Sequence, residues 1–221
     1  MGIEQVGTSD DRQFGEQPLA QTVAAASAIR RLTGMLLSLE HPHPAVDAML
    51  AQFADWEAEL SRALPPDSAP RLDSDPETKR LYLQHAFDIG AYNPFFPEYR
   101  FDRLDHETAS GTVTFPLAVE GPPGFVHGGF LGVFFDCVTQ HQNCAVALSG
   151  RTRMLSVTYR RPTPVLTKLR FDIARSEVDR TITSTARLLL GDEVLCVGEL
   201  DALAMSPEKL SVSRFARRAR P

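Results

Sequence analysis

The chain has 221 residues, with 23 Lys and Arg against 28 Asp and Glu for a formal net charge of −5, and 43% of its residues are hydrophobic. This composition is that of a soluble globular protein, and the length suffices for one domain, with or without an appendage, to bury a real core. No apolar run approaches the roughly 20 residues of a bilayer-spanning helix, and the polar, acidic start lacks the apolar stretch of a secretion signal. The sequence therefore predicts no membrane partner.

The cysteines Cys137, Cys144 and Cys196 form no CxxC pair and are too scattered for a disulfide framework or a zinc site. We therefore expect a protein of the reducing cytoplasm without a metal. His41 and His43 stand in an HPHP run that resembles a ligand pair, but the prolines favour an extended turn between helices.

Charge is distributed unevenly along the chain. Residues 1–90 carry 14 acidic and 7 basic side chains, whereas residues 91–221 carry 14 acidic and 16 basic ones. Five basic residues and no acid follow Glu208. A nucleic-acid surface would also need interleaved aromatic residues, so we expect a solvated basic tail over residues 207–221 and no nucleic-acid partner.

The first third of the sequence predicts helices. Apolar residues at three- and four-residue spacings indicate amphipathic helices over residues 18–40 and 44–64. The two apolar stripes are Leu19, Val23, Ala26, Ile29, Leu32, Leu36 and Leu37, and then Val46, Met49, Leu50, Phe53, Trp56 and Leu60. A linker rich in Pro and Asp follows at residues 65–76, so we assign residues 1–90 to an N-terminal helical extension and linker.

From about residue 98 the apolar period changes to two, which is typical of strands. The alternating positions are Gly111, Val113, Phe115 and Leu117, and then Leu169, Phe171 and Ile173. Residues 152–161, 180–190 and 193–205 are also strand-like, with hairpin turns at Asp179-Arg180 and Gly191-Asp192. One helix interrupts the series at about 128–147. A single long helix with about five strands predicts an α+β domain over residues 91–206, in which an antiparallel sheet wraps the helix.

The segment EGPPGFVHGGFLGVFFD, which ends at Asp136, is the most informative for chemistry. Its prolines and glycines form a rigid turn ahead of a helix that begins near Gly128 and Gly129. A helix N-terminus offers unpaired backbone N–H groups and a partial positive charge, and glycine lets a ligand oxygen approach closely. Such an end can hold a carbonyl oxygen that becomes negative in a transition state.

Asp136 lies two helical turns after Gly129, about 10 Å farther along nearly the same face and among apolar neighbours. A carboxylate in such a place is typical of a general base, and equally of a structural Asp bonded to Gln140 or to a loop amide. Because one water cannot bridge that distance, a site that uses both ends needs two chains. The spacing predicts a dimer whose helices lie side by side and antiparallel.

The run GPPGFVHGG, the Asp seven residues after its last Gly and the later run VTYRRPTP resemble the hotdog-fold acyl-CoA thioesterases, in particular the phenylacetate-pathway branch in its actinobacterial form. The resemblance covers about residues 90–205. It implies a hotdog fold, hydrolysis of an acyl-CoA to free acid and CoA, no cofactor beyond the CoA of the substrate, and a homodimer or dimer of dimers.

The resemblance also implies a role for each site residue. It makes Gly128 the oxyanion donor, with His127 shaping the loop, and we expect the backbone amides of Gly128 and Gly129 together to hold the oxyanion. Asp136 of the partner subunit becomes the general base or nucleophile, and Thr152 lies where some relatives place a Ser that orients water. The N-terminal extension falls outside the resemblance, and we expect it to pack on the outer surface or to cover part of the acyl tunnel.

Several neighbouring residues admit two interpretations. Arg160 and Arg161 can meet the phosphates of CoA at the pocket mouth or can serve only as solvated strand-end charges. Cys137 points about 100° away from Asp136 on the helix, which favours a small buried side chain over a nucleophile. The polar run at residues 140–143 is expected to emerge into solvent, with a proton-transfer role for His141 as the alternative.

Two other functions stay open. A hotdog hydratase or dehydratase would act on hydroxyacyl thioesters, although the sequence contains neither a Gly-Asp-x-Asn-Pro nor a His-Phe-Pro run. A non-catalytic acyl-CoA or lipid binder would bind the same ligands without turnover.

Overall fold

The computed structural model describes residues 18–64, 88–146 and 150–204. The helices are α1 (Ala20–Leu37), α2 (Pro44–Ala63), the single turn α3 (Ile89–Tyr92) and α4 (Gly128–Ala145). The strands are β1 (Tyr99–Leu104), β2 (Thr108–Thr114), β3 (Gly150–Tyr159), β4 (Lys168–Val178), β5 (Thr181–Leu190) and β6 (Glu193–Ala204). The predicted linker at 65–76 and the predicted tail at 207–221 lie outside the described residues.

The strands form one antiparallel sheet in the order β1-β2-β4-β5-β6-β3, with α4 packed against it. This is the predicted α+β architecture, with six strands rather than about five. The tight turns fall where the sequence places them, and Asp179 and Gly191 have left-handed φ values of 57° and 60°. The second strand is shorter than predicted, because Pro116 has no N–H to continue the ladder and Leu117 begins a short 3-10 helix.

The core lies between α4 and the sheet. Side chains that are at most 2% exposed come from both layers: Leu131, Phe134, Phe135 and Val138 from the helix, and Leu169, Phe171, Leu188 and Leu195 from the strands. Gly198 of β6 sets how closely the layers approach, since a Cβ there would lie 2.5 Å from the Phe135 ring. This contact fixes the helix, and with it the residues on its opposite face, relative to the sheet.

Helix α1 is attached to the domain by a buried cation. Arg30 is 9% exposed and donates from Nε to the carbonyl of Phe96 at 2.8 Å, and from Nη2 to the carbonyl of Asn93 at 3.0 Å. Its guanidinium also bonds the carbonyl of Gly90 and pairs with Glu98. The predicted apolar stripe of this helix is therefore largely wrong: Arg30 is buried, whereas four of the seven predicted residues are 38% to 59% exposed, namely Leu19, Ile29, Leu36 and Leu37.

Helix α2 forms within one residue of its predicted ends but buries none of its residues. Its predicted apolar face stays open, with Leu50, Trp56 and Leu60 between 50% and 65% exposed. Of the two helices, α1 contacts α3 and the 3-10 helix at Leu117–Val119, whereas α2 has no buried residue. None of the helices in the described ranges is long and apolar enough to cross a membrane.

The polar run near the end of α4 does not emerge into solvent, so that expectation is wrong. His141 is 8% exposed, and Gln142 and Asn143 are fully buried. The Nδ1 atom of His141 lies 2.7 Å from the Tyr99 hydroxyl, and burial lowers the pKa of His141 to about 4. His141 is therefore a neutral, hydrogen-bonded histidine of the core.

Candidate active site

The first turn of α4 leaves one backbone donor available. His127 is the N-cap, and its Nδ1 accepts from the backbone N–H of Gly129 at 3.1 Å. The N–H of Gly128 has no acceptor among the described residues. The side chain of His127 thus occupies the N–H of Gly129, which was expected to hold the oxyanion together with that of Gly128, and Gly128 presents the unpaired N–H.

Tyr159, the last residue of β3, closes one side of this turn. Its hydroxyl donates to the carbonyl of Gly128 at 2.8 Å, and its ring would lie 3.3 Å from a Cβ at that position. The side chain itself is 55% exposed. Tyr159 therefore fixes the first peptide of the helix while its ring faces the surroundings, a contact that the sequence analysis missed.

The structure brings Asp136 and Thr152 together. The Thr152 hydroxyl donates to Oδ1 of Asp136 at 2.6 Å, and both residues are half-buried. The second oxygen, Oδ2, accepts no hydrogen bond from the described residues. A carboxylate with one oxygen fixed and the other available is suited to take a proton from water.

A β-bulge explains how Thr152 reaches the helix. Leu155, Val157 and Tyr159 face α4, and in a regular strand Thr152 would point to the opposite side, since it is an odd number of residues away from each of them. The pairing of β3 with β6 shifts register between Thr152 and Met154, which inserts one extra residue. The bulge returns Thr152 to the helix-facing side. Strand periodicity alone gives no signal for it.

The immediate neighbours of Asp136 are Gln140 and Cys137. Gln140 bonds the Thr152 hydroxyl at 3.0 Å rather than Asp136 itself, so the carboxylate is not held by that amide. Cys137 is half-buried, and desolvation, followed by the charge of Asp136, raises its thiol pKa to about 12. A thiol that stays protonated at neutral pH is a poor nucleophile, in keeping with the predicted packing role.

The two arginines after β3 differ in their surroundings. Both are exposed, and both backbone N–H groups donate to the Leu195 carbonyl at 2.9 Å. The Arg161 guanidinium pairs with Glu193 at 2.8 Å, whereas that of Arg160 has no acidic partner among the described residues. Of the pair, Arg160 has the cation available for an external anion.

Strand β3 is an edge of the sheet, so one side of its backbone is unpaired. Exposed apolar side chains occur on both elements at this edge: Val133 of α4 is 49% exposed and Met154 of β3 is 51% exposed. An open edge bordered by apolar groups is typical of a surface that pairs with another chain. In the described part of the chain, no three His, Cys, Asp or Glu residues are grouped as metal ligands, and His43 caps α2.

No protein-family model matches the sequence, and no curated protein matches it either. Among solved structures, a thioesterase superfamily protein matches with a TM-score of 0.69 and 26% sequence identity, over 86% of this chain and 98% of that one. A hypothetical thioesterase from Streptococcus pneumoniae, solved with coenzyme A, matches over 49% of this chain and 89% of that one, at TM-score 0.46 and 14% identity. A phenylacetic acid degradation-related protein from Ralstonia eutropha JMP134 matches over 48% and 83%, at TM-score 0.44 and 20% identity.

A match over 86% of the chain cannot be confined to residues 91–206, so it extends into the N-terminal extension, which the sequence resemblance left out. The order of the strands, the packing of α4 against the sheet and this match all indicate the same fold. The chain has the hotdog fold of the thioesterase superfamily, preceded by helices.

Proposed function

We propose that the protein is an acyl-CoA thioesterase. The observation that carries the proposal is the pair formed by Asp136 and the Thr152 hydroxyl, on a helix whose first turn presents the unpaired N–H of Gly128. A positioned carboxylate and a fixed donor for an oxyanion are the two groups that thioester hydrolysis needs. The 26% identical thioesterase superfamily protein supports the assignment at the level of the reaction class.

In the proposed reaction, Oδ2 of Asp136 takes a proton from water while the water oxygen bonds to the thioester carbonyl carbon. The carbonyl oxygen becomes an oxyanion held by the N–H of Gly128. Collapse of this intermediate breaks the C–S bond, and the leaving thiolate receives a proton, which yields the free acid and CoA. If Asp136 instead attacks directly, an acid anhydride forms and water then hydrolyses it. Single turnover in ¹⁸O-labelled water distinguishes the two routes, since only the second can leave label in Asp136.

The site is proposed to combine two copies of the chain. Asp136 lies eight residues after Gly128, about 12 Å along the helix, which is too far for both to act on one carbonyl. Pairing of the open edge of β3 with β3 of a second copy would place two α4 helices side by side and cover Val133 and Met154. Each active site would then use Gly128 of one protomer and the carboxylate of the other.

The proposed CoA contact is made by Arg160. Its guanidinium is exposed beyond the end of β3, one residue after Tyr159, which contacts Gly128. A phosphate bound there would lie beyond the end of β3, next to Tyr159. Arg161 is already paired with Glu193, so it is assigned a smaller part in CoA binding.

The test is thiol release from short, long and aromatic acyl-CoAs by the wild type, Asp136→Asn and, as a matched control, Asp192→Asn in an exposed turn. We expect turnover of at least one acyl-CoA, a loss of about 10²-fold or more in Asp136→Asn, and no loss in the control. Equal turnover by all three proteins would remove Asp136 from the reaction. Binding of acyl-CoA without thiol release by any of them would replace the enzyme by a non-catalytic binder.

A further inference from the structure

A series of polar side chains leads from Asp136 into the interior of the domain. Gln140 and Asn143 follow Asp136 at four and seven residues, so the three lie on one face of α4. Asn143 is fully buried, and the side chain of Arg175 on β4, which meets it, is 0% exposed. Burying a polar group without a hydrogen-bond partner costs free energy, so we expect each of these side chains to be hydrogen-bonded.

Four consecutive hydrogen bonds connect Arg175 to Asp136. Nε of Arg175 donates to Oδ1 of Asn143 at 2.8 Å, and Nδ2 of Asn143 donates to Oε1 of Gln140 at 3.2 Å. Nε2 of Gln140 donates to the Thr152 hydroxyl at 3.0 Å, and that hydroxyl donates to Oδ1 of Asp136 at 2.6 Å.

The direction of this series is determined by its first member. A guanidinium has donors and no acceptor, so Asn143 must turn its oxygen to Arg175 and its NH₂ group to Gln140. Gln140 must then accept with its oxygen and donate with its NH₂ group to Thr152. The single proton of the Thr152 hydroxyl is left for Asp136, whose ionised carboxylate only accepts. Hydrogen bonds aligned in this way polarise one another in the same sense.

We infer that Gln140, Asn143 and Arg175 are positioning residues that hold the Thr152 hydroxyl proton on Oδ1 of Asp136 and so keep Oδ2 for the attacking water. The inference rests on the proposed function and adds residues that act through the Thr152 hydroxyl. Arg175 is held in place at the far end, because its Nη2 bonds Glu177 at 3.1 Å and its Nη1 bonds the His106 carbonyl at 3.2 Å. The position of the guanidinium is therefore fixed, and its donors set the direction of the hydrogen bonds that follow.

The test is a substitution that reverses the direction of the hydrogen bonds between residue 143 and Thr152 without leaving a cavity. In Asn143→Asp, the new carboxylate still accepts from Arg175 but offers only an oxygen to Gln140. The Gln140 amide then turns over, its oxygen faces Thr152, and the Thr152 proton is drawn away from Asp136. We expect kcat for acyl-CoA hydrolysis to fall about tenfold or more, with KM unchanged within about twofold.

Two controls separate this role from a structural one. Gln142→Glu makes the same amide-to-acid change at the buried residue directly before Asn143. The NH₂ group of Gln142 bonds the Asp105 carbonyl and no member of the series. A protonated carboxyl keeps that bond, so kcat per folded molecule should be unchanged. In a Thr152→Val background the Asn143→Asp change should have no further effect on kcat, because the hydroxyl through which it acts is gone.

Neutron diffraction of deuterium-exchanged crystals gives a readout that does not depend on activity. We expect the Thr152 hydroxyl deuterium to point at Asp136 in the wild type and at Gln140 in Asn143→Asp. Density that points at Gln140 in the wild type would overturn the inference, as would a loss of kcat that persists undiminished in the Thr152→Val background. A wild type with this density but no thiol release would instead overturn the proposed function, and with it the catalytic role of the series.

Discussion

The two ends of the proposed site on α4 are built differently. At the first turn, the working group is the backbone N–H of Gly128, and the supporting groups are the neighbouring His127 and the exposed Tyr159. Two turns later, the working group is the side chain of Asp136, and its support comes from Thr152 on β3 and, through two amides, from buried Arg175 on β4.

This difference predicts how each end responds to change. The first end depends on local backbone geometry at the surface, so substitutions there should alter turnover with little effect on stability. The second end is connected to the buried interior through Asn143 and Arg175, so substitutions among its supporting residues should affect the stability of the fold as well as the reaction. Each of the following experiments tests one part of this difference.

The largest effect is expected at the first end, from Gly128→Pro. Proline is favoured at the first position of a helix, and the extended ψ of 128° at His127 suits a following proline, so the fold should be kept while the N–H is removed. We expect kcat to fall about 10²- to 10³-fold, the usual cost of one oxyanion donor. Gly128→Ala is the control, since it adds the same Cβ against Tyr159 but keeps the N–H. Equal losses in both variants would show that crowding, and not the N–H, is responsible.

The next effect concerns the stability of the buried interior beside the second end, through His141, which follows Gln140 on α4. Its pKa is about 4 in the folded state, below the ordinary 6.5, so on acidification the unfolded chain takes up the proton first. His141 therefore destabilises the fold progressively as pH falls from about 6.5 towards 4, by about 3 kcal/mol in total. Urea unfolding at pH 7 and pH 4.5 should show a smaller loss in His141→Gln than in the wild type. An identical loss in both proteins would exclude a buried neutral histidine.

A smaller effect is expected from Thr152→Val, which keeps the shape of the side chain and removes the hydroxyl. Loss of one hydrogen bond to a carboxylate should lower kcat roughly 10- to 50-fold, and Thr152→Ser should restore most of it. Rates are measured by thiol release at saturating acyl-CoA. If serine were no better than valine, the hydroxyl would have no part in holding Asp136.

The smallest effect is expected from Cys137→Ala, although Cys137 is next to Asp136 in the sequence. Its thiol pKa of about 12 means that thiolate is scarce at neutral pH. We expect thiol release from acyl-CoA within about twofold of wild type, and slow reaction of Cys137 with iodoacetamide, followed by peptide mass spectrometry. Rapid alkylation with loss of turnover would place the thiol in the site after all.

The contrast also explains what could be predicted from the sequence. The helix start at Gly128 follows from a local pattern of glycine and proline, and the strands follow from their two-residue period. The pairing of Thr152 with Asp136 depends on a bulge that strand periodicity does not encode. Arg30 and Arg175 were missed as buried cations, because each is stabilised by partners that are far away in sequence.

The central claim, that one site combines Gly128 of one protomer with Asp136 of the other, is tested most directly by mixing two inactive chains. Co-expressed Asp136→Asn and Gly128→Pro chains form mixed dimers in which one of the two sites keeps both working groups. Random pairing then predicts about a quarter of the wild-type thiol-release rate from proteins that are each nearly inactive alone. Mixed dimers that are isolated with different affinity tags and show no activity above either parent would contradict the claim.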